Sequence, residues 1–475
     1  MKCNILTLHE QIINKQKTIP ALIDECIQVE NKVSITNSVI NNNHEHAERE
    51  AQELQNKLDQ HQTDLLYGIP YAMKDNVSVI NTITTGGSKF LENYVAPYSA
   101  TIYDHLRNSN AIMLSKSSLD EFGMGGSGIY CYKGVTKNFH DDQRITGGSS
   151  SGSVNLVAAG VVPFAIATDT GDSARRPASF TGVAGFKPTY GLISRFGVLP
   201  YSPSLDTVGI VSQTVSDLAI VCDSLIKYDA RDCSSQATKE HYFYRSLKPI
   251  SKLNVGVVKG IEKHLSADVL PAYLKSIEII KSAGHNVILV DYNDELLSAV
   301  HTIYYVISYG EACSCWSNLT GIQFGLNLGG KDYEDIILHA RTSGLGEQVK
   351  RRFTIGAYVT ESQNFEKMFL RSQRIRRYLV NKWNEQMHKV DTIMLPGASS
   401  IAPLIKDAMN DNFKSTWADD IQCVANFAGA PSITIPYTKV QGMPFGLNFT
   451  CDVFQDQKTL NVALTMEELF GGEHE

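Results

Sequence analysis

A layered α/β/α fold, with a mixed and mostly parallel central sheet and helices on its N-terminal side, is expected from three features of this 475-residue chain. Short apolar runs recur from Tyr67 onward, helical patterns fill several of the intervals between them, and about the first 65 residues carry helical periodicity alone. Strands that alternate with helices are joined by crossovers, and crossovers favour parallel pairing.

The elements follow in chain order. Pro20 stands where a first helical turn tolerates proline, and residues 42–62 are rich in the helix formers Glu, Ala, Gln, Leu and Lys. His44 and His46 are two positions apart and face different directions on a helix, so they read as surface side chains rather than metal ligands. Strands are expected at 69–73, 111–114, 161–167, 255–258, 287–290, 392–395 and 433–435, and helices at 267–283 and 365–385. In the last of these, Arg371, Arg374, Arg376 and Arg377 read as a solvated face, with contact to a partner or to RNA as the alternative. No repeat or low-complexity linker divides the chain, so residues 1–475 read as one domain. Within it, residues 1–65 form a helical segment packed on the rest and residues 147–210 form the chemical core. The polar stretch 227–240 is expected to be an exposed connection.

Composition narrows the function classes. A hydrophobic fraction of 43% against 20% charged residues is that of a globular protein with a large core. The net charge of −7 argues against a chain that grips a phosphate backbone through its overall field. The longest apolar run, 156–167, is broken by Gly160 and Pro163 and falls well short of the roughly 20 residues a membrane span needs. Lys2, Glu10 and Lys15 lie too close together for a signal-peptide apolar segment. Nine scattered cysteines without a C-x-x-C pair indicate neither a zinc site nor a disulfide framework. A reduced, cytoplasmic enzyme with no metal is the expectation.

The chemistry concentrates in two places. Residues 147–153 read Gly-Gly-Ser-Ser-Ser-Gly-Ser, and an apolar run then leads to Thr168-Asp169-Thr170-Gly171-Asp172-Ser173. A Gly-rich loop before a helix can bind phosphate, yet neither nucleotide-binding glycine motif is present. A flexible linker fits poorly beside so dense an apolar run. The remaining reading is a serine nucleophile, which needs a base to take its proton. No histidine stands in a recognisable triad context, but a lysine neutralised by desolvation can serve. Lys74 is the candidate, because the run Gly68-Ile69-Pro70-Tyr71-Ala72-Met73 delivers it to a strand end. Read alone, Lys74 would be a surface charge paired with Asp75.

These residues resemble the amidase signature family. The matching parts are the Gly-Gly-Ser-Ser loop, the run Thr168-Asp169-Thr170-Gly171-Asp172-Ser173-Ala174-Arg175-Arg176-Pro177-Ala178, and Gly-Ile-Pro-Tyr-Ala-Met-Lys-Asp-Asn ending at Asn76. Ser149 precedes Ser173 by 24 residues and follows Lys74 by 75. Further stretches are similar to the A subunits of glutamyl-tRNA(Gln) amidotransferases: Gly185 to Gly191, Ser194 to Gly197, Ser204 to Gly209, Asp120 to Ser127, Lys350 to Arg352 and Asn426 to Pro431.

The resemblance implies an amidase-signature fold and a set of roles. Ser173 is the nucleophile on the carboxamide of glutamine, Ser149 bridges it to Lys74, and a cis peptide precedes Ser149. The backbone N–H groups of Thr170, Gly171, Asp172 and Ser173 form the oxyanion hole. Arg352 takes the substrate carboxylate, Asp419 its ammonium, and Tyr304 lines the pocket; read without the resemblance, these are solvated charges and a core tyrosine. The implied function is a glutaminase that supplies ammonia to amidate Glu-tRNA(Gln). It needs no cofactor in this chain, a B subunit that binds tRNA and uses ATP with Mg²⁺, and a C subunit. The alternatives are a stand-alone amidase on another carboxamide and a catalytically impaired scaffold. Asp172 suggests the latter, since the family usually has glycine there; Ser151, Ala174 and Arg176 also depart from it. Arg175 or Arg176 is expected to neutralise Asp172.

Overall fold

Eleven strands form one sheet in the computed structural model, which describes residues 4–58, 64–239, 242–410 and 416–471. In chain order they are β1 (Val39–Asn42), β2 (Pro70–Lys74), β3 (Ile112–Ser117), β4 (Phe164–Asp169), β5 (Ala184–Lys187) and β6 (Thr207–Ser212). After these come β7 (Asn254–Val258), β8 (Asn286–Val290), β9 (Thr392–Pro396), β10 (Ser432–Val440) and β11 (Met443–Thr450). Across the sheet the order is β1-β3-β2-β4-β6-β5-β10-β11-β9-β7-β8. The strands β2, β3, β4 and β9 are buried along their whole length, which is why they read as continuous apolar runs without alternation.

The sheet is mixed, but it is not mostly parallel. Only β3-β2, β2-β4, β9-β7 and β7-β8 pair in parallel; the other six pairings are antiparallel. The correction has a local cause. Every antiparallel pairing includes β1, β5, β6 or β11, the strands the apolar-run reading does not find. Gly185, Gly209, Pro444 and Gly446 interrupt three of them, and β1 is the polar Val-Ile-Asn-Asn.

The N-terminal segment holds helices Ile5–Ile13, Ile19–Lys32 and His44–Lys57, the first two capped by the Asn4 and Thr18 side chains. It also contributes the edge strand β1, so it is not helical throughout. The helix expected over 42–62 ends at Lys57, and residues 59–62 lie outside the described ones. His44 is not a free surface side chain: its Nε2 meets Glu30 at 2.6 Å.

Two further expectations meet the structure differently. In the polar stretch 227–240, Asp229 accepts hydrogen bonds from Thr101 and Ser194, and Asp232 and Ser234 accept from Arg195. The described part of the stretch, 227–239, is a largely exposed connection, and those carboxylates and hydroxyls staple it onto the loop around residue 195. Arg376, by contrast, is not solvated; it donates to the Phe427 carbonyl and to Ser204. No helix among the described residues is long and apolar enough to cross a membrane.

Apolar packing falls into two clusters. The larger follows the sheet and the helices against it. The smaller gathers Phe90, Phe122, Tyr201, Trp316, Leu345, Val349 and Phe353 beneath the segment from 300 to 360.

Candidate active site

Strand β2 ends at Lys74 beside β4, with Met73 level with Ile166 in the parallel register. Lys74 thereby faces Thr168, and the loop before helix Ser151–Ala158 closes over both. The Lys74 Nζ lies 2.8 Å from Ser149 Oγ, 2.9 Å from Ser150 Oγ and 2.8 Å from Thr168 Oγ1. The side chain is fully buried. Burial lowers its amine to about 7, although Asp120, Asp169 and Asp206 pull the other way. At neutral pH a large share of it is an uncharged base. Asp75 is not its partner: that carboxylate meets Lys116 at 2.8 Å and accepts from the Thr85 N–H and hydroxyl.

The three hydroxyls around Lys74 differ in freedom. Ser150 commits its proton to the Thr168 carbonyl at 3.0 Å, and Thr168 Oγ1 already accepts from Asn76 at 3.1 Å. The Ser149 hydroxyl has no hydrogen-bond partner other than Lys74 among the described residues. It is therefore the hydroxyl best placed to pass a proton to the amine. A cis peptide joins Gly148 to Ser149.

Ser173 reaches this centre through its backbone, where the Ser150 N–H donates to its carbonyl at 3.2 Å. Its hydroxyl makes no hydrogen bond among the described residues, and the residue is only 4% exposed. The backbone N–H groups of Thr170, Gly171, Asp172 and Ser173 likewise have no protein acceptor among the described residues. Four unclaimed donors next to an unclaimed hydroxyl suit an oxyanion that forms only during reaction.

Arg175 fixes this loop. It grips Asp169 with two hydrogen bonds, of 2.9 and 3.0 Å, and donates to the Gly171 carbonyl at 2.6 Å. It also reaches the Gln422 carbonyl, Ser432 and Asn426 on distant segments. Burial opposes ionisation of Asp169, but the Arg175 guanidinium and Asn426 outweigh it and hold the carboxyl at about 2. The partner of Asp172 is Arg176, in close ion-pair contact. Burial raises the Asp172 carboxyl to about 6 against the pull of that guanidinium.

Arg352, on helix Glu347–Thr360, is 7% exposed and has no carboxylate partner among the described residues. It donates to the Tyr201 hydroxyl at 2.6 Å and lies over the rings of Tyr201, Tyr305 and Tyr309 at 5.4, 5.9 and 4.9 Å. Its Nε is buried without a partner. Tyr304 stands against the reactive loop, since a Cβ on Gly171 would touch its ring at 3.1 Å and Cys423 Sγ at 3.0 Å. Asp419 is placed differently: its oxygens accept from Ser399 N–H at 2.9 Å, Ser399 Oγ at 2.7 Å and Thr416 N–H at 3.0 Å. The adjacent Asp420 meets His301 Nδ1 at 3.1 Å. Ser150, Thr168, Asn76 and Tyr201 are site residues that motif reading passes over. Of these, Ser150, Thr168 and Asn76 sit inside the matched motifs and carried a signal, whereas Tyr201 did not.

Comparison with known proteins bears on the family and the fold. Residues 18–460 match the family model described as Amidase. The chain is 40% identical to the glutamyl-tRNA(Gln) amidotransferase A chain of Mycoplasma genitalium, with both chains covered in full. It is 34% identical to the corresponding protein of Wolinella succinogenes, over 85% of this chain and 90% of that one. Among solved structures, the counterpart from Thermotoga maritima aligns with a TM-score of 0.71 at 29% identity, covering 85% of this chain and 83% of the other. The peptide amidase of Stenotrophomonas maltophilia shares the fold, with a TM-score of 0.83 at 22% identity over 98% and 97% of the two chains.

Proposed function

The chain belongs to the amidase family, and we propose on that premise that it is the glutamine-hydrolysing A subunit of a glutamyl-tRNA(Gln) amidotransferase. The observation that carries the chemistry is a fully buried lysine amine, lowered to about 7, bonded to a serine hydroxyl that has no other partner. Ser173 attacks the side-chain carboxamide while Ser149 takes its proton and hands one to Lys74. The N–H groups of 170–173 receive the oxyanion. Lys74 returns the proton through Ser149 to the departing nitrogen, ammonia leaves, and water then releases glutamate from Ser173.

Recognition of glutamine as a free amino acid rests on Arg352. A buried cation without a counter-ion is costly unless something anionic arrives, and the substrate α-carboxylate is such a group. Asp419, with Asp420 beside it, is assigned to the ammonium. The Asp172–Arg176 pair supports an active enzyme over an impaired scaffold, because it removes a lone negative charge from the oxyanion loop.

The ammonia is consumed in the cytoplasm by a heterotrimeric assembly. Its B subunit binds the tRNA and activates the glutamyl group with ATP and Mg²⁺, and its C subunit completes the complex. The test is ammonia release from glutamine by the full chain, alone and co-purified with its partners. Glutamine turnover that rises with the partners is expected; hydrolysis of unrelated amides with no use of glutamine overturns the reading.

A further inference from the structure

One buried carboxylate has no part in the reaction above. Glu121 lies in the turn Glu121–Gly123 and is 4% exposed. Its Oε1 accepts the Ser88 hydroxyl at 2.5 Å, and its Oε2 accepts the Gly346 backbone N–H at 2.9 Å, across 225 residues of chain. Gly346 immediately precedes helix Glu347–Thr360, which no side chain of its own caps. The Glu121 carboxylate thus acts as a cap supplied from elsewhere, at the positive end of the helix dipole. Arg352 sits in the second turn of that helix. The fit is close: a Cβ on Gly346 would come within 2.5 Å of Oε2.

The same turn faces the nucleophile side. The Asp120 N–H donates to the Ser149 carbonyl at 3.2 Å, and the Phe122 N–H donates to the Gly86 carbonyl at 2.6 Å. Phe122 adopts φ of 51° and packs its ring on Trp316 at 4.5 Å. Non-glycine residues rarely hold that left-handed geometry unless their surroundings impose it. Burial pushes the Glu121 carboxyl up to about 7, opposed by Ser88, Gly346 and Lys350. An apolar side chain would suit the cluster of Phe90, Phe122, Trp316 and Val349 better if packing alone mattered.

We propose that Glu121 is a positioning residue for substrate recognition: it fixes the helix that presents Arg352, from the turn that also holds the Ser149 carbonyl. The inference rests on the glutamine reading and names the residue that sets one of its two binding distances. Arg352 must meet a carboxylate while Ser173 meets a carboxamide on the same small molecule, so the helix cannot drift relative to the catalytic loop.

The experiment uses the full chain in the assembly that co-purifies with it. Glu121→Ala is expected to raise both KM for glutamine and the inhibition constant for glutamate about tenfold, with kcat within about threefold. Glu121→Gln keeps an acceptor for the Gly346 N–H and is expected to recover most of the loss. A merely structural role would lower kcat along with thermal stability and would leave the glutamate constant unmoved. Should Glu121→Ala not fold, Ser88→Ala carries the same contrast. A fall in kcat with unchanged KM, or unchanged KM in both variants, overturns the proposal. Wild-type protein that does not turn over glutamine overturns the functional reading instead.

Discussion

The two sides of the pocket are built in opposite ways. Around Lys74, Asp169 and Arg175 the charges are held by hydrogen bonds and ion pairs, and the groups left unclaimed are neutral ones, the Ser173 hydroxyl and the N–H groups of 170–173. Around Arg352 a buried guanidinium rests on tyrosine rings with one hydroxyl partner and no anion. The first region belongs to the main core and the second to the smaller apolar cluster. The fold leaves neutral hydrogen-bonding groups open on the catalytic side and a whole charge open on the recognition side. A preorganised reaction centre gains from rigidity, and a receptor gains from a charge held unsatisfied.

Mutations on the two sides should differ accordingly. The largest effect is expected from Ser173→Ala, which removes the nucleophile and lowers glutaminase kcat on the order of 10⁶-fold, with no acyl-enzyme trapped by a glutamine analogue. Next comes Arg175→Met, which leaves Asp169 as an uncompensated buried charge; denaturant unfolding should show a loss of about 3–5 kcal/mol. Arg352→Lys keeps the charge but loses the planar fork, and KM for glutamine should rise about tenfold with stability nearly unchanged. If Arg352→Lys instead destabilised the protein as much as Arg175→Met, the contrast between the two sides would fail.

Two smaller effects sharpen it. Lys74 acts as a base only when neutral and its amine is lowered to about 7, so kcat/KM should be level above that pH. Below it, the profile should drop about tenfold per pH unit. A profile flat down to pH 5 would remove Lys74 from that role. Asp172→Gly should change kcat/KM less than about threefold, because Arg176 keeps Asp419 and Asp420 as electrostatic neighbours.

Legibility followed the same division. Lys74, Ser149 and Ser173 could be named from sequence because each sits in a contiguous motif, and the roles of the two serines came with the family resemblance those motifs carry. Tyr201 and Glu121 could not, since their roles come from contacts with Arg352 and Gly346, 151 and 225 residues away. The strands obeyed a parallel rule. Runs such as 111–114 and 392–395 betray buried strands by composition, while β5, β6 and β11 are broken by glycine and proline. Those residues are tolerated because neighbouring backbone passes close: a Cβ on Gly185 would lie 2.5 Å from the Ala174 carbonyl. The antiparallel centre of the sheet was therefore invisible where the parallel wings were plain.

That centre also dictates when the enzyme can come into being. Strand β5, just beyond the nucleophile loop, takes β10 as its second neighbour, pairing Lys187 with Ser432. Arg175 likewise waits for Gln422, Asn426 and Ser432. On a ribosome adding roughly 5–20 residues per second, the later segment emerges on the order of ten to fifty seconds after the earlier one. Until then the nascent chain carries a serine without its scaffold and a strand with one bare edge, so hydrolysis can begin only once translation is almost over.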